Sequence, residues 1–419
     1  MRLALLSQYY PPETGAPQRR LSHLARHFLE SGHSVTVLTA MPNYPEGRIF
    51  ASYGGLYRKK VEDGVQVLRT FIYPSNSPQM VSRLANYFSF VFSSAVLGSF
   101  ALTAPDYLLV ESPPLFLGIS GYWLSRLKST KLIFNVSDLW PESAVRLGVI
   151  ERSSFGFRAA EALERFCYRK AWLVTGQSKS ILRDINQRFP KVRCFHLSNG
   201  ADVALFQPGT GSAESTSLLR KKKGELLTAY AGLHGLAQGL DQVLAAAAKP
   251  ETANIRFVFI GGGPCKPDLQ AQAKREGLKN VEFLDVQPAE TIPALLASVD
   301  VLLVALKTDI PGAVPSKLYE AMAMAKPVLL LGAGEAAEIV RESDCGIVVQ
   351  PGDSQALIAA LQILRSNPDL RHCLGQNGRR AIVSRYNRAQ IARNFIQFLE
   401  DDMRASSSQY ESKPTAVLN

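Results

Sequence analysis

Pro315-Ser-Lys-Leu-Tyr-Glu320-Ala-Met-Ala-Met-Ala-Lys326-Pro327 lies between two strongly apolar runs, Val301–Leu306 and Val328–Leu331. Short apolar runs bounded by turns are typical of buried strands, and proline suits the first turn of a helix. Strand, loop, helix and strand in this order form one unit of a parallel α/β sheet. The stretch therefore predicts an α/β protein with a parallel sheet.

Lys317 and Glu320 are three residues apart in this predicted helix, so they share one face of it. The free N–H groups at a helix N-terminus can hold a phosphate. An ammonium there, with a carboxylate one turn later, suits a nucleoside diphosphate, because the lysine can meet phosphate and the carboxylate can accept bonds from two ribose hydroxyls. An exposed Lys–Glu pair on an ordinary helix explains the same spacing.

Strand and helix patterns alternate along most of the chain, and the alternation breaks at a Gly- and Ser-rich stretch that begins at Phe206. Two doubly wound α/β domains are predicted, with ligands expected at the carboxyl ends of the strands and in the cleft between the domains. The predicted bounds are 1–205 for the first domain, 206–385 for the second, 386–403 for a helix returning to the first, and 404–419 for a disordered tail. Predicted strands are Arg2–Ser7, Ser34–Thr39, Val65–Thr70, Tyr107–Glu111, Lys131–Val136, Ala171–Thr175, Val192–Leu197, Leu226–Ala231, Ile255–Ile260, Val281–Leu284, Val301–Leu306, Val328–Leu331 and Ile347–Gln350.

The chain carries a net charge of +11 and five scattered cysteines. The charge implies an anionic partner, and basic clusters occur at Arg19-Arg20, Arg58–Lys60 and Arg220–Lys223. No recognisable nucleic-acid motif accompanies them, so nucleic acid is disfavoured. The odd number of cysteines, without a Cys-x-x-Cys pair, indicates a reducing compartment, and Met1–Leu6 is interpreted as the first strand rather than a signal sequence.

The stretch from Leu84 to Pro105 contains no charged residue and is long enough to span a bilayer. It also contains several serines and lies where the alternation requires a helix. A helix packed on the first sheet is therefore the preferred interpretation, and a helix in the membrane interface and a true span remain the alternatives.

Two loops of the first domain follow predicted strands and contain residues suited to binding. Gly15 lets the backbone approach a ligand phosphate at a helix N-terminus. Asp138 and Trp140 follow the strand Lys131–Val136, where the carboxylate can polarise an acceptor hydroxyl and the indole can stack on a sugar. The alternative is that Asp138 is the N-cap of the next helix.

Glycine-rich loops also follow the first two strands of the second domain, at Gly232–Gly239 and Gly261–Gly263. Such loops cradle phosphates. Neither has the glycine spacing of a nicotinamide or flavin site. No Asp-x-Asp and no histidine pair at ligand spacing occurs, so the sequence predicts neither a metal nor a cofactor, with the nucleotide acting as substrate.

These loops together resemble the retaining glycosyltransferases of family four, whose GT-B architecture places two Rossmann-like domains face to face. The resemblance covers nearly the whole chain. The motifs that carry it are Gly32–Leu38, Asn199–Asp202, the Gly261 loop and Pro315–Pro327. A closer similarity is to the subgroup that transfers N-acetyl-L-fucosamine and related sugars in bacterial surface polysaccharide assembly, carried by Tyr9–Gly15, Met41–Pro45, Asp138–Ser143 and Pro315–Lys317.

The resemblance implies a transferase that moves a sugar, such as an N-acetylated deoxyhexosamine, from a UDP-sugar donor to a lipid-linked, polyprenyl diphosphate glycan acceptor. The implied location is the cytoplasm, peripheral at the inner face of the plasma membrane and bound to its anionic surface. Two other functions stay open: a nucleotide-sugar epimerase of GT-B fold and an inactive scaffold. The predicted catalytic residues are Asp138, Lys317 and Glu320, and the predicted substrate-binding residues are Gly15, Ala16, Trp140, Glu142, Gly232, Gly235, Gln238, Gly262, Asp309, Ser316 and Leu318.

Three positions depart from the family pattern. The family has two glutamates separated by seven residues; Glu320 matches the second, but Gly312 occupies the first position, and Asp309 is a candidate substitute. Gln238 stands where lysine is common. Pro315 has no N–H, so one usual backbone contact to the diphosphate is missing.

Overall fold

The computed structural model describes residues 1–77, 79–210, 219 and 221–411, with side chains described up to residue 406. The chain divides into two compact units. The first comprises Met1–Pro141, Glu151–Ser198 and Arg388–Asn419, and the second comprises Glu142–Ile150 and Asn199–Asn387. The second unit thus resumes at Asn199 rather than at the predicted boundary of 206, and most of the predicted linker (211–218 and 220) lies outside the described residues.

The first unit is an eight-stranded sheet in the order β3-β4-β2-β1-β5-β6-β7-β8. Every pair is parallel except β3 with β4. Its strands are β1 (Arg2–Ser7), β2 (Ser34–Ala40), β3 (Tyr57–Glu62), β4 (Val65–Thr70), β5 (Tyr107–Ser112), β6 (Lys131–Val136), β7 (Leu173–Gly176) and β8 (Cys194–His196). Its helices, together with one short helix that belongs to the second unit, are α1 (Ala16–Glu30), α2 (Met80–Ala101), α3 (Leu117–Leu127), α4 (Glu142–Arg146, second unit), α5 (Phe155–Lys170) and α6 (Lys179–Arg188).

The second unit is a six-stranded, fully parallel sheet in the order β11-β10-β9-β12-β13-β14. The strands are β9 (Leu226–Ala231), β10 (Ile255–Ile260), β11 (Val281–Leu284), β12 (Val301–Ala305), β13 (Val328–Leu331) and β14 (Gly346–Val349). The α-helices that follow in the chain, the last of them in the first unit, are α7 (Asp241–Ala247), α8 (Lys266–Arg275), α9 (Ile292–Ala297), α10 (Ser316–Ala323), α11 (Gly334–Glu342), α12 (Ser354–Ser366), α13 (Pro368–Arg385) and α14 (Arg388–Glu411).

Each sheet reverses its strand order once, and these switch points locate the expected binding crevices. In the first unit the order reverses between β1 and β5, and in the second between β9 and β12. In open α/β sheets, ligands bind outside the carboxyl ends of the strands at such a point. The loops after β1 and β5, and those after β9 and β12, are therefore the places where a site is expected.

The strand β3 is absent from the sequence prediction, because Tyr57–Glu62 was interpreted only as a basic cluster. It pairs antiparallel with β4 at the edge of the first sheet and is largely exposed on both faces. An edge strand of this kind does not show apolar alternation, and charged residues protect it from pairing with another chain. Asp63 and Gly64, both with positive φ, make the two-residue hairpin turn that connects it to β4.

The apolar stretch predicted at Leu84–Pro105 lies mostly in the helix α2, which begins earlier, at Met80, and ends at Ala101. The helix packs against the first sheet through residues that include Phe90 and Val91. Among the described residues it is the one helix long and apolar enough to cross a membrane, with a mean hydropathy of 1.3. Only 33% of its most apolar window is buried in the protein. A core helix of a soluble protein satisfies the same criteria of length and composition.

The last helix, α14, is longer than predicted and packs on the first unit. Its residues Phe395 and Leu399 are fully buried in the core beneath β1. Asp402 accepts hydrogen bonds from the Tyr107 hydroxyl (2.7 Å) and from Lys131, which fixes the helix against β5 and β6. The predicted end at 403 is wrong: the helix continues to Glu411, and 412–419 lie outside the described residues.

Candidate functional site

In the second unit, glycine loops and the N-terminus of α10 meet at the switch point. A Cβ added to Gly232, just after β9, would lie 3.0 Å from Cε of Lys317 and 3.1 Å from the hydroxyl oxygen of Tyr230. One added to Gly261, just after β10, would lie 2.1 Å from the Gly232 carbonyl oxygen. Gly261 therefore needs glycine, because a side chain there would meet backbone, whereas at Gly232 a side chain would crowd Lys317 and Tyr230.

Lys317 and Glu320 form an ion pair, with Nζ 3.1 Å from Oε2. Glu320 is buried, with only 5% of the residue exposed, whereas the Lys317 side chain is 30% exposed. The pair is therefore not the exposed Lys–Glu pair on an ordinary helix that was the alternative interpretation of the spacing, because Glu320 is buried. A buried carboxylate beneath an accessible ammonium places the cation at the helix N-terminus, where an anionic ligand is also favoured.

A second lysine closes the edge of this loop cluster. Lys266, at the start of α8, donates hydrogen bonds to the carbonyl oxygens of Gly261 (2.9 Å) and Leu284 (3.0 Å) and to Asp285 Oδ1 (2.7 Å). It is largely buried, and the bond from its ammonium holds the ends of β10 and β11 together. This residue was missed because a single lysine after a glycine run gives no signal in the sequence.

Two further predicted residues of the second unit, Gln238 and Leu318, already make hydrogen bonds within the protein. Gln238 Oε1 accepts the Gly235 N–H (3.2 Å) and so closes a short 3-10 helix, Leu236–Gln238. The Leu318 side chain is fully buried in the core, and its N–H donates to the Pro315 carbonyl. In this structure, therefore, the Leu318 side chain packs in the core and its N–H is already hydrogen-bonded, so neither of them faces a ligand.

Three more predicted residues lie at the surface of the second unit. Asp309 is exposed, and its Oδ1 would lie 3.4 Å from a Cβ added to Gly334, at the start of α11. Ser316 is half-buried in the first turn of α10, and Gly262 has Val286 as its nearest neighbour. Asp309 thus remains only a candidate for the missing family glutamate. Within the described residues, no group of three or more His, Cys, Asp or Glu side chains is placed to hold a metal ion.

His234, in the loop after β9, is fully buried, and its ring lies among Tyr230, Phe259 and Phe283. Neither ring nitrogen makes a hydrogen bond of ordinary geometry. Burial and, second, the neighbouring Lys266 ammonium together lower the pKa of His234 to about 4, and the Ile260 backbone opposes the shift. The imidazole is therefore neutral in the folded protein at neutral pH.

We predict that His234 makes the second unit acid-sensitive. The unfolded chain binds a proton near pH 6.5 and the folded chain only near pH 4, so stability is complete above pH 6.5 and falls as the pH drops towards 4. The total effect corresponds to about 3 kcal/mol. In calorimetric melts, His234→Leu should reduce this slope, the dependence of stability on pH between 6.5 and 4. The control His372→Leu, at an exposed position in the same unit, should leave that dependence unchanged. An unchanged slope in His234→Leu would contradict the prediction.

In the first unit, a buried polar network ties α1 to three strands at their carboxyl ends. The Arg20 guanidinium pairs with the Glu111 carboxylate and donates to Ser137 Oγ (2.8 Å), which donates to the same carboxylate (2.7 Å). Asn135 donates to the other oxygen of Glu111 (2.7 Å) and accepts from the Thr175 hydroxyl (2.6 Å). The network thus fixes Ser137, the residue directly before Asp138.

Asp138 follows Ser137 in a bend after β6 and is half-buried. The next helix, α4, begins at Glu142, four residues after Asp138. The catalytic and the capping interpretations of Asp138 both stay predictions. Trp140 packs edge-on against Phe116, with ring centroids 5.8 Å apart, and Glu142 pairs with Arg146 (3.5 Å) on the surface of α4.

Glu13 connects the two proline-rich loops of the first unit. Its carboxylate accepts the N–H groups of Tyr10 (3.2 Å), Asn43 (2.9 Å) and Tyr44 (2.8 Å), and only 2% of the residue is exposed. Burial raises the pKa of Glu13, and the three N–H donors partly offset this. Its role is to hold the loop that leads to Gly15, which the sequence alone did not reveal.

Gly15 and Ala16 begin α1, the helix that carries Arg20. Gly15 is the N-cap, without a side-chain cap, and Ala16 is exposed at the first helical position. A Cβ on Gly15 would lie 2.4 Å from Oε1 of Gln18, so a larger residue there would displace the Gln18 side chain. The helix N-terminus and the Asp138 loop are therefore held in one unit by the same arginine.

We predict that Arg20→Met lowers the free energy of unfolding of the first unit by about 3–5 kcal/mol, because it leaves Glu111 buried without its partner. The control is Arg26→Met on the same helix, where the Arg26 and Glu30 side chains are more than half exposed and the change should cost less than about 1 kcal/mol. The double variant Arg20→Met/Glu111→Leu should recover much of the loss. Denaturant titration checks all three, and equal costs for the two arginines would contradict the assignment.

The chain matches two family models, "Glycosyl transferase 4-like domain" over residues 15–200 and "Glycosyl transferases group 1" over residues 214–381. The two matches fall on the two sheets and together cover most of the chain. The chain therefore belongs to the glycosyltransferases that combine these two domains, and its fold is GT-B.

Among curated proteins, the chain is 27% identical to WcaI of Escherichia coli K12, named as a colanic acid biosynthesis glycosyl transferase, over 86% of this chain and 91% of that protein. Among solved structures, it is similar to sucrose-phosphate synthase from Thermosynechococcus elongatus, with a TM-score of 0.77, 16% identity and coverage of 96% and 99%. It is also similar to Anabaena HepE in complex with UDP-glucose, with a TM-score of 0.69, 18% identity and coverage of 96% and 100%. The two structures support the fold.

Proposed function

We propose that this protein transfers a sugar from a UDP-sugar to a lipid-linked glycan acceptor in the assembly of a bacterial surface polysaccharide. The observation that carries the donor half is the meeting of Lys317, Glu320 and Gly232 at the switch point of the second sheet. The UDP complexes of HepE and the colanic acid assignment of WcaI support the donor and the pathway. The loops at Tyr9–Gly15, Met41–Pro45 and Asp138–Ser143 favour an N-acetylated deoxyhexosamine such as N-acetyl-L-fucosamine.

In this mechanism the second unit holds the nucleotide. The Lys317 ammonium moves from Glu320 to the leaving diphosphate, and the freed carboxylate accepts two ribose hydroxyls. Negative charge grows on the diphosphate in the transition state, so a fixed cation there lowers the barrier. The leaving phosphate can take the acceptor proton, and Asp138 orients the acceptor hydroxyl. The mechanism needs neither a metal nor a cofactor.

The experiment that tests this function is mass spectrometry of lipid-linked products after incubation with a panel of UDP-sugars and membrane extract, in buffer containing EDTA. We expect one UDP-sugar to be consumed and its sugar to appear on a lipid-linked product. Consumption of the UDP-sugar without any acceptor would indicate an epimerase instead. If UDP fails to raise the melting temperature, the protein is an inactive scaffold.

Lys317→Ala is expected to lower kcat more than it raises KM for the donor, because the lysine acts on charge that develops in the transition state. Lys317→Arg should recover activity only partly, since the guanidinium is larger and planar. Lys274→Ala, at an exposed position in the same unit, is the matched control and should leave both constants unchanged. A change in KM alone would show that Lys317 binds only the ground state.

We further propose that the protein is cytoplasmic and peripheral at the inner membrane, bound through its first unit. The exposed cluster Arg58–Lys60 and the apolar helix α2 both belong to that unit. Each basic residue near an anionic leaflet contributes about 1 kcal/mol, and this contribution falls with salt. Membrane fractions should therefore release the protein partly in high salt and fully in mild detergent. Full recovery in the soluble fraction at low salt would contradict this location, and resistance to carbonate would indicate a span.

A further inference from the structure

The helix α2 buries several polar side chains beside Phe90 and Val91, whereas a row of large apolar side chains on its other face is exposed. Asn86, Ser93 and Ser94 are buried, and Ser94 bonds Ser120 on α3 (3.2 Å). Phe92 and Phe100, by contrast, are 72% and 86% exposed. The hydrophobic effect favours the opposite orientation in water, so the exposed face is built for an apolar partner.

The neighbouring helix α3 extends this face. Its Trp123 is 57% exposed and donates its indole N–H to Ser99 Oγ of α2 (3.1 Å). The two helices approach closely at Gly98, where an added Cβ would lie 3.2 Å from a methyl carbon of Leu124. One continuous surface results, here called the apolar track and consisting of Phe88, Phe92, Val96 and Phe100 on α2, Ile119, Trp123 and Leu127 on α3, and Phe116 and Trp140 at its end.

One end of the apolar track reaches the acceptor side of the candidate site. The Phe88 and Phe116 rings lie 4.8 Å apart, and the Phe116 and Trp140 rings lie 5.8 Å apart. Trp140 is two residues from Asp138. From Phe88 to Phe100, twelve residues of helix correspond to about 18 Å. The track is therefore an elongated apolar surface that begins beside Asp138 and leads away from it.

Charge supports a lipid with an anionic group rather than a protein partner with basic residues. No Asp or Glu occurs in residues 64–105 or 112–137, the two segments that contain α2 and α3. Three cations, Arg83, Arg126 and Lys128, lie on or directly beyond these helices. Along α2 and α3 the exposed rings therefore have only cations as charged neighbours in these two segments, and acidic residues occur only at the Trp140 end, at Asp138 and Glu142. Such a surface suits an amphipathic anion such as a prenyl diphosphate.

We propose that the apolar track binds the hydrocarbon chain of the lipid-linked acceptor and so places its diphosphate-linked sugar beside Asp138. This inference rests on the proposed function, because it assumes a lipid-linked acceptor. It goes beyond that function by naming the hydrocarbon chain as the part of the acceptor that is bound and the apolar track as the surface that binds it. Chain binding, rather than attachment to a bilayer in general, follows from the continuity of the track with Trp140.

The test uses two soluble probes without any bilayer, geranyl diphosphate and geranylgeranyl diphosphate, and tryptophan fluorescence as the readout. The protein has three tryptophans, of which Trp123 and Trp140 lie on the track and Trp172 packs elsewhere, against Tyr107 and Phe398. The variant Trp172→Phe therefore reports on the track alone. The longer chain is expected to bind at least about tenfold more tightly, since each additional buried methylene contributes to affinity.

The double variant Phe92→Ser/Phe100→Ser, made in the Trp172→Phe background, should reduce this preference to about threefold or less. The matched control is Phe155→Ser, which alters a ring that is 82% exposed in the same unit but at the start of α5. It should keep the full preference. Because all three rings are on the surface, unchanged melting temperatures are expected and are to be measured alongside.

Equal affinity for the two diphosphates, or an equal loss in the Phe155 control, would overturn the proposal. So would binding to phosphatidylglycerol vesicles without any chain-length preference, since the face would then meet the bilayer and not the acceptor chain. Sugar transfer to a short-chain acceptor is measured separately. Its absence in the unaltered protein would contradict the proposed function, whereas the two prenyl diphosphates alone decide the role of the track.

Discussion

The buried pair of Arg20 and Glu111 is the constraint on which the first unit depends. Two charges removed from water are tolerated only when they are paired and their remaining hydrogen-bonding groups are satisfied. Here that requirement brings Ser137 and Asn135 into the same network, together with α1, β5 and β6. The positions of the helix N-terminus and of the Asp138 loop follow from it, because both are attached to members of the pair.

In the second unit, the loops after β9 and β10 are held by close backbone contact rather than by a buried ion pair. Its loops come together because Gly232 and Gly261 have no side chains, and Lys266 binds the carbonyl groups that result. This leaves Lys317 as the cation that meets the cluster of loops, already held by Glu320. In the proposed mechanism this ammonium passes from Glu320 to the diphosphate, and until then the ion pair keeps the cation near the N-terminus of α10.

The sequence predicted the strands well where they are buried, and poorly where burial gives no pattern. Short apolar runs predicted β1 and β9 at their observed bounds. The edge strand β3 was missed because both of its faces meet water. Arg20 was noticed only as part of a basic cluster, and Glu111 only as the end of a strand, since their pairing joins residues 91 positions apart. Neither propensity nor spacing contains that information; tertiary contact decides it.

The orientation of α2 shows how one helix can both support a loop and present an apolar surface. Its inner face packs on the sheet through Phe90 and Val91 and also carries Asn86, which accepts a hydrogen bond from Gln8 (2.8 Å) in the loop that leads towards Gly15. Its outer face is apolar, and the aromatic contacts of that face lead to Trp140 beside Asp138. Hydropathy averages the two faces and so cannot distinguish this helix from a span. The hydrogen bond from Gln8 shows that the inner face of α2 supports the loop after β1. The same helix that supports the loop at Gln8 thus presents the surface proposed to receive the acceptor chain.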